Sequence, residues 1–220
     1  MNCAYCQYGW TRSPFRYRGT RFGWPTAADV DAAVTARLQR AAECGELIDR
    51  ITVAGHDEPT LHRDFEEITV RLRAIRDRIA PGVPLAILSN STTAGWDAVR
   101  RALSGYDERY MKLDAGDPIT YGRINDLGSS MLHVVDALSQ LPPIVVQSMF
   151  VADDAGEIEN SSDGPVATWI DAVERVHATA VHIYTLDRVP APGSLHKVPR
   201  RRLREIAERV RTFHIPATVF

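Results

Sequence analysis

Five short apolar runs rich in β-branched residues punctuate the chain, at residues 51–54, 85–88, 110–113, 144–151 and 181–186. Between them, near 63–79, 95–104, 129–140 and 165–178, and again over 200–213, the pattern turns helical. The short apolar runs predict strands and the helix-like stretches predict helices. An apolar tail at 217–220 offers one more strand. Another helix should open at Thr26, where Thr26-Ala27-Ala28-Asp29 has the form of a capping box after Pro25. It should close near Gly45, a natural helix terminator. Residues 1–25, with their glycines, two prolines and aromatics, predict a long functional loop.

Strands alternating with helices at this spacing imply a parallel sheet with right-handed crossovers. Polar residues stand at or just past the carboxyl end of every predicted strand. They are Asp57 and Glu58, Ser89 and Asn90, Lys112 and Asp114, then Gln147, then Tyr184 and Asp187. An open doubly wound sheet would concentrate such residues at one switch point, whereas a barrel spreads them over one rim. The pattern therefore favours an α/β barrel. Nothing in the sequence marks a low-complexity segment or a second domain, so one domain over 1–220 is expected.

Composition narrows the class. The 220 residues are 45% hydrophobic with a formal net charge of −2, enough for one barrel-sized core and without a global pull on nucleic acid. There is no signal-like start and no apolar run approaching the ~20 residues of a membrane span. The reading is a cytoplasmic protein with no membrane partner. Cysteine occurs three times, at Cys3, Cys6 and Cys44. In a reducing compartment Cys-x-x-Cys reads as metal or redox chemistry. By itself the pair is also compatible with half a zinc site or a redox couple. A zinc site needs about four ligands, and a redox couple normally follows a strand, which Cys3 does not.

The Met1-Asn2-Cys3-Ala4-Tyr5-Cys6 segment resembles the end of C-x-x-x-C-x-aromatic-C, the cluster signature of the radical S-adenosylmethionine (radical SAM) superfamily. Four later segments extend the likeness to Fe-S oxidoreductases related to the tRNA wyosine-synthesis enzymes. Residues 51–62, ITVAGHDEPTLH, are similar to their G-x-G-E-P-T-L, with Asp57 where they have glycine. Residues 111–117, MKLDAGD, are similar to V-K-L-D-A-G-D. Residues 145–150 and 182–190 are similar to Q-T-M-F and Q-I-Y-T-L-D-R-P-P. The ordered set covers residues 2 to 188.

The resemblance implies a partial (βα)6 TIM-like barrel with a 4Fe-4S cluster and S-adenosyl-L-methionine as cofactors. Cys3 and Cys6 would be cluster ligands. Gly55 and Glu58 would meet the methionyl ammonium, a carboxylate being a natural acceptor for it. Ser89 and Asn90 would lie near the ribose and carboxylate, and Tyr5 near the adenine. Lys112, Asp114, Gln147 and Tyr184 would be catalytic or substrate-side groups, with Asp187 beside them. The implied chemistry cleaves SAM to a 5′-deoxyadenosyl radical that abstracts hydrogen from a small-molecule or RNA-base substrate. The electron would come from an external flavodoxin- or ferredoxin-like donor.

Each of these residues also has a plain structural reading: a solvated acid in a turn, a polar strand end, a buried ion pair, ordinary packing. The first strand of the barrel and the first cluster cysteine are both missing ahead of Cys3, so a start placed too late is expected. Cys44 falls at the far end of the first helix and is a poor substitute. The rival reading is a degenerate, cluster-free barrel that binds a ligand or partner. A tRNA-modifying activity would use the basic cluster Arg200, Arg201, Arg202 and Arg204, for which a solvated helix face is the alternative.

Overall fold

A computed structural model describes residues 3–6, 24–55, 58–125, 130–141, 143–187 and 194–220. Six parallel strands form its main sheet: β1 (Ile51–Val53), β2 (Leu85–Ser89), β3 (Glu108–Lys112), β4 (Val145–Met149), β6 (Ala180–Tyr184) and β8 (Ala217–Val219), in that spatial order. The end strands β1 and β8 do not pair with each other, so the barrel is partial. The expected tail strand is β8. The run 144–151 does not form one strand. It breaks at Phe150, whose N–H is taken by the carbonyl of Tyr184, and resumes as β5 (Val151–Asp153). β5 pairs antiparallel with β7 (Leu195–Lys197).

The helices are α1 (Ala27–Glu43), α2 (Phe65–Ile79), α3 (Asp97–Leu103), α4 (Pro118–Asn125), α5 (Met131–Ser139), α6 (Asp163–Arg175) and α7 (Arg200–Arg211). The capping box is present: Thr26 Oγ1 accepts from the Asp29 N–H, and the Asp29 carboxylate accepts from the Thr26 N–H. Gly45 follows the helix with φ of +65°, the left-handed conformation that glycine adopts without strain. α4 was not foreseen, and neither was β7.

Strand alternation sorts the sheet into two faces. Arg109, Met111 and Leu113, with Val146, Ser148, Val181 and Ile183, are buried under helices. α6 supplies Val166, Trp169, Ile170 and Val173 to this layer, each worth about 1.5–3 kcal/mol when fully buried. The Trp169 indole N–H donates to the Leu113 carbonyl (2.9 Å) and to Ser148 Oγ (3.0 Å), locking α6 over the third and fourth strands. Arg109 is the charged exception on this face. Its guanidinium donates to the carbonyls of Leu103, Tyr106 and Pro143, so its donors are occupied despite burial.

Gly116 has a steric reason. A Cβ there would stand 1.9 Å from the carbonyl oxygen of Thr168 in α6. Gly116→Ala should therefore push α6 off the sheet and destabilise the fold by about 1–3 kcal/mol. Thermal unfolding checks this, at roughly 2–4 °C per kcal/mol for a chain of this size. Gly122→Ala, in α4 with nothing within 4 Å of the added carbon, should instead stabilise by about 0.5–1 kcal/mol.

Candidate functional site

The sheet face opposite the helices carries Glu108, Tyr110, Lys112 and Asp114 on or just beyond β3, Gln147 and Met149 on β4, and His182 and Tyr184 on β6. Register aligns Lys112, Gln147, His182 and Thr218 in one row across four strands. The alternation places the expected pair Lys112 and Asp114 on the same side, and Lys112 Nζ lies 3.7 Å from Asp114 Oδ2.

Asp114 is completely buried. Its Oδ2 accepts from the Tyr5 hydroxyl and from Asn125 Nδ2 (2.8 Å), and its Oδ1 accepts from the Met149 N–H (2.8 Å). Lys112 Nζ also sits 4.6 Å from the centre of the Tyr5 ring, a cation–π contact. These contacts bring the cysteine loop onto the rim. Ala4 N–H donates to the Ile124 carbonyl at 2.7 Å, and Cys3, Ala4 and Tyr5 pack with Ile124, Val151, Leu186 and Leu195. Asn125 Nδ2 also reaches Cys3 Sγ at 3.5 Å, while its Oδ1 is buried without a partner among the described residues. Burial pushes the Cys3 thiol up, against the pull of the Lys112 charge. Burial, then the Asp114 charge, holds the Tyr5 phenol well above its usual range.

A second cluster lies at the ends of β1 and β2. Glu58 is buried, and its Oε1 accepts from the Thr60 N–H (3.2 Å), the Thr60 hydroxyl (2.6 Å) and the Ser89 hydroxyl (2.8 Å). Its Oε2 accepts from the Asn90 N–H at 2.5 Å. Asn90 Oδ1 in turn accepts from the Thr92 N–H (3.0 Å) and hydroxyl (2.6 Å). The carboxylate expected to face a ligand ammonium thus already holds two loops together, with Oε2 the less occupied oxygen. Gly55 is exposed at the end of β1, and Asp57 lies outside the described residues.

The third group is aromatic. Gln147 Nε2 donates to the Tyr184 hydroxyl (3.2 Å), which also lies 3.3 Å from His182 Nδ1. Tyr184 stacks on Phe220, with centroids 4.8 Å apart, and His182 meets Tyr110 at 5.4 Å. Burial, then the nearby Arg50 charge, lowers the His182 pKa, and burial raises that of Tyr184. His182, which the sequence motifs did not single out, lies on the same face two residues before Tyr184 and directly opposite Gln147. Asp187 is exposed beyond the end of β6. Of the basic cluster, Arg201 pairs with Glu205 and Arg202 with Asp163, while Arg200 and Arg204 carry no ion pair among the described residues.

The donor set falls short of an iron–sulfur cubane. Cys3 and Cys6 are the two cysteines on the rim, and Cys44 is the exposed C-cap of α1. Among the described residues no three His, Cys, Asp or Glu side chains come together as a metal site. The described residues of the rim supply two of the three thiolates that such a cluster takes.

No family model matches the chain. Over 124 residues, 56% of its length, it is 29% identical to GTPase Obg of Brachyspira hyodysenteriae, and the match takes in 16% of that protein. The sequence contains no Gly-x-x-x-x-Gly-Lys phosphate-cradling loop. Structural likeness is broader. SuiB of Streptococcus suis, solved with S-adenosylmethionine, superposes with a TM-score of 0.70 at 13% identity, over 100% of this chain and 47% of SuiB. A domain of the pyruvate-formate lyase-activating enzyme from Bacteroides vulgatus gives 0.61 at 11% identity, over 79% of this chain and 99% of that domain. Archaeal TYW1 gives 0.58 at 12% identity, over 92% and 68%. The chain thus shares a fold with these solved structures, a partial barrel of six parallel strands, and spans about half the length of SuiB. No helix among the described residues is long and apolar enough to cross a membrane.

Two outcomes follow from the buried groups. Asp114→Ala strands the Met149 N–H, the Asn125 amide and the Tyr5 hydroxyl, and should cost about 3–5 kcal/mol in urea unfolding. Alkaline pH should also weaken the fold. Tyr5 and Tyr106 bind their protons more tightly folded than unfolded, where tyrosine ionises near pH 10. Their stabilisation is intact below about pH 10 and is lost as pH rises toward the folded value, about 12 for Tyr106. A urea series across that window should show the decline, and Tyr106→Phe should flatten it.

Proposed function

We propose that this chain is the SAM-binding barrel of a radical SAM enzyme that abstracts hydrogen from a substrate by way of a 5′-deoxyadenosyl radical. The observation that carries the reading is the convergence on one rim of Cys3, Cys6 and Tyr5, the Lys112–Asp114 pair, and the Glu58–Ser89–Asn90 cluster. SAM needs an acceptor for its ammonium, a donor for its carboxylate and a surface for its adenine. Glu58 Oε2, Asn90 and Tyr5 have the chemistry for those three tasks. Gln147, His182 and Tyr184 would face the substrate across the open barrel. Solved structures of the same fold, among them SuiB bound to S-adenosylmethionine, support this reading. The reducing electron would come from an external flavodoxin- or ferredoxin-like protein.

The two-thiol donor set favours a second reading, a cluster-free barrel that binds SAM or a similar ligand without radical chemistry. Anaerobic reconstitution with iron and sulfide, followed by an iron count, separates the two. Iron retained near four per chain supports the enzyme, and its absence supports the second reading. Calorimetric titration with SAM tests what they share. Glu58→Gln should weaken SAM binding about 10- to 100-fold, the worth of one charge-assisted hydrogen bond. Unchanged affinity would move the ligand away from this rim.

A further inference from the structure

We infer that the groove between α7 and the outer edge of β8 docks an extended acidic peptide. The site does not depend on the SAM reading. Among the described residues β8 is the last strand of the sheet and pairs with β6 alone. Its Pro216 carbonyl and Phe220 N–H are turned to β6, at 2.8 and 3.1 Å from their partners. Parallel pairing alternates, so the backbone groups of Ala217 and Val219 face outward. The Arg211 guanidinium takes the Ala217 carbonyl. Among the described residues the Ala217 N–H and both polar groups of Val219 are left for another strand.

An open groove of about 380 Å³ runs beside this edge, lined by Arg200, Arg204, Glu208 and Arg211 and by residues 217–219. Three guanidiniums stand there against one carboxylate, and Glu208 is already paired with Arg211 at 2.6 Å. The remaining arginines of α7 are also neutralised, Arg201 by Glu205, and Arg202 and Arg209 by Asp163. Arg200 and Arg204 alone on the helix have no carboxylate among the described residues. Arg200 also opens the helix, in a first turn where no acidic residue offsets the helix dipole and a cation is disfavoured. A visiting carboxylate would neutralise both arginines and complement the helix start at Arg200.

The spacing selects an extended ligand. Arg200 and Arg204 are four helical residues apart, a rise of about 6 Å. Side chains two apart on a strand repeat every ~6.6 Å. A peptide added to β8 with acidic residues at alternate positions matches both the free backbone edge and the two arginines, as strand-addition complexes do. A phosphodiester strand matches the charge and leaves the edge unused.

Fluorescence anisotropy with a labelled peptide alternating glutamate and valine tests the site on the whole chain. Binding should weaken about tenfold in the Arg200→Gln, Arg204→Gln double variant, the scale of two partly exposed ion pairs. The same peptide N-methylated on the paired residues should also lose binding, because its charge is intact and its strand edge is not. If the double variant does not fold, wild-type chain with lysine in place of glutamate in the probe decides the charge question, and retained binding overturns the proposal. Equal binding of the N-methylated peptide overturns strand addition. Displacement of the probe by single-stranded oligonucleotide at lower concentration assigns the groove to nucleic acid, and loss of the site to dimerisation in sedimentation assigns it to a second copy. Either overturns the peptide assignment.

Discussion

The Asp114 carboxylate is the constraint on which the rim depends. A bare carboxylate at zero exposure would cost several kcal/mol. Here that cost is offset by donors arriving from three separate places: the Met149 backbone, Asn125 of α4 and Tyr5 of the cysteine loop, with the Lys112 charge nearby. Each donor satisfies the charge and is itself held in place by it. Asn160 extends the lattice. Its amide donates to the Asp114 and Met149 carbonyls, and its oxygen accepts from the Val151 N–H, which fixes the break between the fourth and fifth strands. One buried charge therefore sets the relation between the sheet, α4 and the loop above it.

Strand periodicity separates folding from chemistry. On β3 the residues Arg109, Met111 and, just past it, Leu113 go under the helices, and Glu108, Tyr110, Lys112 and Asp114 go to the open face. The arginine on the buried side shows that charge alone does not mark function. Its donors meet the carbonyls of Leu103, Tyr106 and Pro143, at the amino end of the sheet. Lys112 has a different setting. It is part-exposed, shares Asp114 with Tyr5 and lies over an aromatic face, so it remains available to a ligand.

What was legible in the sequence is what depends on near neighbours. The capping box needs four residues, and the Lys112–Asp114 juxtaposition needs only the pleat. The strand that breaks at Phe150 was read as continuous because its apolar run is continuous, and the break comes from Tyr184 and Asn160. α4 escaped notice because its buried side includes Thr120, Tyr121 and Asn125, which blur any apolar stripe. The Tyr5–Asp114 bond joins residues 109 apart, and no local pattern announces it. Glu58 is a subtler case. Its place at the end of β1 was legible, while the three residues that already bond its carboxylate come from a turn and from the next strand.

The cysteine loop shows how far the rim is built independently of a metal. In small metal-dependent domains, ligand binding and folding are one event. Here Cys3 is packed as a small apolar side chain with Ile124, Val151, Leu186 and Leu195, and the thiol is pushed toward its neutral form by that burial. Ala4 is tied to α4 through its backbone, and Tyr5 is tied to Asp114 through its hydroxyl. These contacts use protein atoms alone. The Asn125 N–H directed at Cys3 Sγ favours a thiolate, which would draw further support from Lys112. The rim side chains around Asp114 are thus joined to the loop by protein contacts under either reading of its chemistry.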